Sequence, residues 1–119
     1  MSAQPSDQPR AKGFLDTEPP PFDVRVQRSS QSTTVAVSGD LDRAAAPRLL
    51  EVFEELAADR AIGAVTVDLR AVSFMDSGGL RVLLDARHSF RDGFVVLAAG
   101  RSRDLLEVTG CHRFLEIRY

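Results

Sequence analysis

The sequence predicts an α/β fold: a single domain with a mixed β-sheet and helices packed on it, in the order β-β-α-β-α-β-α-β. Three observations carry this expectation. Hydrophobic residues recur first with a period of two and then with a period near 3.6, in alternation along the chain, as strands and crossover helices require. Glycines mark changes of pattern, at Gly39, Gly63 and Gly110. Finally, 119 residues with 44 % hydrophobic and 27 % charged side chains suit one globular domain. A domain of this size hides roughly two-thirds of its unfolded surface without metal or disulfide staples.

Each element has its own justification. Five of the six prolines fall within the first 21 residues, among Ser, Gln and charged residues. Such a stretch buries too little apolar surface to offset its ordering entropy, so residues 1–21 are expected to form a flexible arm and 22–119 the domain. "FDVRVQRS" alternates Phe22, Val24 and Val26 with polar residues and predicts a half-buried strand. "SSQS" supplies a turn, and "TTVAVSG" continues the alternation through Val35 and Val37, which predicts a hairpin ended by Gly39. In the helical stretch that follows, Leu49, Leu50, Phe53, Leu56 and Ala57 share a face, with Pro47 near the first turn, where a helix tolerates it.

"GAVTVDL" predicts a strand with Val65, Val67 and Leu69 on one face, and a second helix is expected from about Ser77 to Phe90 along Leu80, Leu83, Leu84 and Arg87. "GFVVLAA" is almost wholly apolar, as a strand inside a helix-covered sheet should be. "SRDLLEVTG" predicts a short helix stopped at Gly110, and "FLEIR" a closing strand. The crossovers between parallel strands should be right-handed.

Composition narrows the function. A net charge of −2 and a pI near 5.6 oppose a direct nucleic-acid role, which wants a clustered basic face. No apolar run approaches 18 residues and no apolar leader precedes the domain, so no membrane partner and a cytoplasmic location are expected. Cys111 is the one cysteine and reads as a buried, inert thiol. No metal-ligand cluster, no cofactor motif of the P-loop or G-x-G-x-x-G kind, and no catalytic set is expected.

The stretch "FMDSGGL" tests that last point. Asp76-Ser77-Gly78-Gly79 is the tetrapeptide around the reactive serine of chymotrypsin-like proteases. An activated serine needs a base in hydrogen-bond reach and a group to orient it. His88 lies eleven residues along the same expected helix, roughly 16 Å away, and His112 has no evident acid. Met75 also stands where the hydrolase elbow G-x-S-x-G needs its first glycine. Ser77 is therefore not read as a nucleophile. Asp76 or Ser77 suits an N-cap, but two glycines in a first turn cost stability and are expected where another chain approaches the backbone closely.

With "VAVSGDLD" (residues 35–42) and "AVTVDLRAVSFMDSGGLRVLLDA" (residues 64–86) read together, the chain resembles the anti-sigma factor antagonist family of STAS domains. Those domains carry a G-E-[LI]-D loop after the second strand and a strand-loop-helix reading D-x-x-x-[VL]-x-[FY]-[MI]-D-S-[STA]-G-[LIV]. Gly39-Asp40-Leu41-Asp42 falls on the first motif; Asp68, Val72, Phe74-Met75-Asp76-Ser77, Gly79 and Leu80 fall on the second. The resemblance covers about residues 22–119. It implies that Ser77 is the serine phosphorylated by a partner anti-sigma factor, itself a serine/threonine kinase, and that a serine phosphatase resets it. It further implies that Asp40 and Asp42, with Asp76, Ser77, Gly78 and Gly79, form the partner-binding face. Two residues depart from the pattern: Gly78 replaces Ser, Thr or Ala, and Asp40 replaces Glu. The unpaired N–H groups of a helix start are expected to host the phosphate. The alternative is an unswitched STAS scaffold in a signalling or lipid-transport complex, with Ser77 a cap only.

Overall fold

Two long neighbouring strands form the centre of the molecule, β2 (Ser32–Leu41) and β3 (Ala64–Met75), paired in parallel. In this computed structural model residues 21–119 are described. The expected flexible arm lies, except for Pro21, outside the described residues. The five strands lie in chain order across one mixed sheet. β1 (Asp23–Arg28) pairs antiparallel with β2 through the expected hairpin, while β4 (Phe94–Leu97) and β5 (Glu116–Arg118) continue the sheet in parallel. Helices α1 (Ala46–Ala57), α2 (Ser77–Ala86) and α3 (Gly100–Val108) occupy the three crossovers. Among the described residues no helix is long and apolar enough to cross a membrane.

The core follows from the alternating patterns. Val35, Val37 and Leu41 of β2, Val65, Val67 and Leu69 of β3, and Val96 of β4 are all buried. They meet Leu49, Phe53 and Leu56 of α1 and Leu80, Val82, Leu83 and Ala86 of α2. Phe53, Phe90 and Phe94 pack as an aromatic cluster with ring centroids 5.7–6.1 Å apart.

Several expectations need correction. Leu50 is 41 % exposed and Ala57 is exposed, so the buried stripe of α1 is narrower than the spacing suggests. Val26 is also 41 % exposed, because β1 is an edge strand whose second half has little packed over it. The second helix ends at Ala86 and tightens into a 3₁₀ turn over Arg87–Ser89. Phe90 then turns to extended backbone and buries its ring against Phe53 and Phe94. Burying that aromatic surface outweighs one more helical turn.

The strand ends matter most for function. Gly39 does not end β2. It adopts φ +81° within the strand, and a Cβ there would strike the Pro21 carbonyl and the Phe22 backbone. The strand continues to Leu41, so Asp40 is a strand residue and not part of a loop. β3 likewise runs six residues past Leu69, to Met75, with two register shifts against β2. Its buried positions therefore pass from 65, 67 and 69 to Val72 and Met75, in steps of three. The bulges keep both apolar residues inward and bring Leu41 opposite Met75, level with the start of α2.

Candidate functional site

The site is built where β2 and β3 end together. Asp40 pairs in register with Phe74, and Leu41 with Met75, so residues 40–43 leave the sheet beside residues 74–78. Asp76 occupies the N-cap of α2 with extended backbone, φ −111° and ψ −174°. Its Oδ1 accepts hydrogen bonds from Gly78 N at 2.9 Å and Gly79 N at 3.2 Å. Its Oδ2 accepts from Arg43 N at 2.8 Å. One carboxylate thus caps the helix and ties down the β2–α1 connection. Burial pushes the Asp76 carboxyl up, but the three backbone donors at Arg43, Gly79 and Gly78, helped by the Arg43 charge, outweigh it and leave the group below the usual carboxylate range.

This geometry separates residues that the sequence grouped together. Asp76 is the cap, and both of its carboxylate oxygens are engaged, in three hydrogen bonds. Gly79 is buried, and a Cβ there would lie 2.5 Å from the Leu41 carbonyl oxygen and 2.6 Å from Leu41 Cγ. The chain that approaches this glycine is its own, not a partner's. Gly78 is half-buried; a Cβ would meet Asp76 Oδ1 at 3.2 Å and Arg43 Cα at 3.3 Å, which is tight without being closed.

Ser77 is the first residue of α2, exposed, and its Oγ has no hydrogen-bond partner among the described residues. It caps nothing. The expectation that the helix start offers unpaired N–H groups to a phosphate is met by one donor only. Gly78 N and Gly79 N donate to Asp76 Oδ1 and Leu80 N donates to Asp76 O, which leaves Ser77 N alone in the first turn.

The two loop carboxylates differ as well. Asp42 Oδ1 accepts from Ala45 N at 2.9 Å, closing the turn before α1, and its carbonyl accepts from Ala45 N and Ala46 N. The Asp40 side chain is half-buried and makes no hydrogen bond among the described residues. Asp68, another motif position, sits further back in β3. It takes both Nε and a terminal nitrogen of Arg70, at 3.0 and 2.9 Å, and the Arg70 backbone N–H. That hydrogen-bonded guanidinium holds its carboxyl below the usual range against partial burial. This is a structural clamp within β3.

Two residues beside Ser77 are not singled out by the sequence, and Phe74 falls on the motif without a site role. Arg43 and Arg81 line an open groove with Ser77, Gly78, Leu80, Leu84, Thr109 and Cys111. Phe74 is 41 % exposed beside Asp40. Arg81 was legible from its place four residues after Ser77 on the same helix. Arg43 was not, because only the Asp76 bond fixes where it sits.

Residues 23–119 match the family model of the STAS domain, and the chain belongs to that family. Over 96 residues it is 31 % identical to an anti-sigma-B factor antagonist of Listeria monocytogenes, covering 77 % of this chain and 83 % of that protein. The crystal structure of an anti-sigma factor antagonist from Mycobacterium paratuberculosis is similar at 29 % identity with a TM-score of 0.74, over 82 % of this chain and 85 % of that one. The fold is shared with the Bacillus cell fate determinant SpoIIAA in its phosphorylated form, at 16 % identity and a TM-score of 0.61, covering 83 % and 92 % of the two chains.

Proposed function

We propose that this protein is an anti-sigma factor antagonist switched by phosphorylation. The unphosphorylated form binds an anti-sigma factor that is a serine/threonine kinase and so frees a sigma factor. Phosphorylation of Ser77 ends binding, and a serine phosphatase restores it. Family membership and the names of the relatives support the first part of this reading. The observation that carries the second is the exposed Ser77 hydroxyl, free of hydrogen bonds among the described residues, on a helix start held rigid by its neighbour Asp76. Modification there breaks no bond that the fold uses.

The chemistry needs no catalytic group in this chain, since a kinase brings its own nucleotide, metal and transfer machinery. The phosphate adds a charge near −2. Facing a partner carboxylate at about 6 Å, that charge costs roughly 1.4 kcal/mol at the dielectric of water and about 5 at an effective value of 20. Even the smaller figure is about tenfold in affinity. At the end of β2, Asp40 offers a carboxylate without a hydrogen bond among the described residues, in register with the exposed Phe74. The effect is local, because Ser77 contributes nothing to the core.

The test is incubation with candidate anti-sigma kinases and ATP, followed by intact mass. A gain of one phosphate, abolished in Ser77→Ala, is expected. No gain with any kinase that binds the protein would favour the unswitched scaffold instead.

A further inference from the structure

We propose that the phosphate on Ser77 is held by the guanidinium groups of Arg43 and Arg81, and not by the N-terminus of its helix. The inference rests on Ser77 as the phosphorylated residue and says where the added charge goes. Of the backbone donors that receive an anion at many helix starts, three are already taken, two by Asp76 Oδ1 and one by Asp76 O, which leaves only the N–H of Ser77 itself. The Asp76 carboxylate also stays ionised at neutral pH, which places a negative charge next to the new one. Beyond solvent and that one N–H, compensation is left to side chains.

Two arginines are in position. Both line the groove onto which Ser77 opens. Arg81 stands one helical turn beyond Ser77 on the same face, about 6 Å away between Cβ atoms. Its one ion pair among the described residues is with Asp85, at 3.5 Å between side chains 80 % and 66 % exposed, a contact too solvated to hold it. Arg43 is exposed and makes no ion pair among the described residues. Its backbone is fixed by the bond to Asp76 Oδ2, so its side chain starts from a defined point beside the serine. The absence of a side chain at Gly78 keeps that approach open, since a Cβ would lie 3.3 Å from Arg43 Cα. Planar guanidinium groups match phosphate oxygens two at a time.

The charged groups around the serine come from three places. The end of β2 and the following connection bring Asp40, Asp42 and Arg43, the cap brings Asp76, and α2 brings Arg81 and Asp85. The carboxylates oppose the arginines, so the decisive quantity is the difference between proteins and not an absolute value. The full-length chain with phosphoserine incorporated at position 77 during translation needs no kinase. Its outcome is therefore independent of whether any kinase recognises Ser77. Phosphorus NMR then follows the second ionisation of the phosphate, which lies near pH 6 in a free phosphoserine.

Arg43→Gln and Arg81→Gln should each raise that pKa by about half a unit and the double variant by about one, as loss of a neighbouring cation does. Replacing both by Lys should restore most of the shift, and melting of the unphosphorylated variants should not move. If the double Gln variant does not fold, the single variants and the Lys pair carry the same comparison. The same pKa in the wild type and every variant would overturn the clamp. A clear clamp with no kinase able to modify Ser77 would instead overturn the functional reading alone.

Discussion

The two strand-to-helix junctions, β2 to α1 and β3 to α2, each carry an aspartate just past the strand, and the two aspartates do different work. At β3–α2 the passage is direct: Met75 ends the strand, Asp76 caps, and Ser77 is already helical. At β2–α1 a turn over residues 43–45 intervenes, and the residue before the helix is Ala45, in helical conformation and without a side-chain cap. Asp42 closes that turn with one side-chain bond, whereas Asp76 accepts three, one of them from the other junction. The comparison teaches that neighbours in one motif do different structural work. Asp76 and Gly79 hold the architecture, whereas the side chains of Ser77, Asp40 and Arg43 make no hydrogen bond or ion pair among the described residues, and on the proposed function that freedom serves the switch.

The sharpest way to break this division is at the paired glycines. Gly79→Ala places a methyl 2.5 Å from the Leu41 carbonyl oxygen, so the helix must move off the strand. A loss of about 3 kcal/mol in urea unfolding is expected, as for overpacking against backbone. Gly78→Ala meets its neighbours at 3.2–3.3 Å and gains helix propensity, so its effect should stay within about 1 kcal/mol of zero. Equal losses at both would show that the helix start is not anchored on Leu41.

Asp76→Ala removes a cap and a cross-junction bond together, and should cost about 2–3 kcal/mol, more than a cap alone. The pH dependence adds a second reading. Because the folded-state pKa of Asp76 is depressed, its contribution is present above the unfolded carboxyl value near 4 and is lost as pH falls through the lower folded value. Denaturation midpoints of Asp76→Asn should accordingly fall less than those of the wild type as the pH is lowered below about 4. Parallel curves would remove the electrostatic part of the argument.

Asp42→Asn keeps an oxygen for Ala45 N and loses only charge. It should leave stability within about 0.5 kcal/mol and, on the proposed function, weaken binding to the anti-sigma partner. A melting temperature several degrees lower with unchanged affinity would make Asp42 a second Asp76. The smallest effect is expected at Ser77→Ala, within about 0.5 kcal/mol of wild type, because an exposed hydroxyl without a bond is removed. On the proposed function, the same variant should free the sigma factor constantly in cells, because it would bind and could not be switched off. Ser77→Asp should weaken binding only in part, with one charge on a shorter arm.

The sequence by itself determined the order of elements, the hairpin, the three crossovers and the position of the exposed serine. These rest on local periodicity and on a motif contiguous in the chain, and Val35, Val37, Val65 and Val67 are buried as their alternation requires. Tertiary structure alone decided the roles inside that motif. Asp76 became the cap and Gly79 the contact because the bulged end of β3 sets Leu41 against the first turn of α2, a meeting of residues 38 positions apart. Arg43 joined the site through a bond to a residue 33 positions away. Leu50 stayed exposed although its spacing matches Leu49 and Phe53, because a helix buries only as much of its face as neighbouring elements cover. Local patterns record which face a residue prefers, but what stands opposite that face is set by long-range packing, and here that packing sets the surroundings of Ser77.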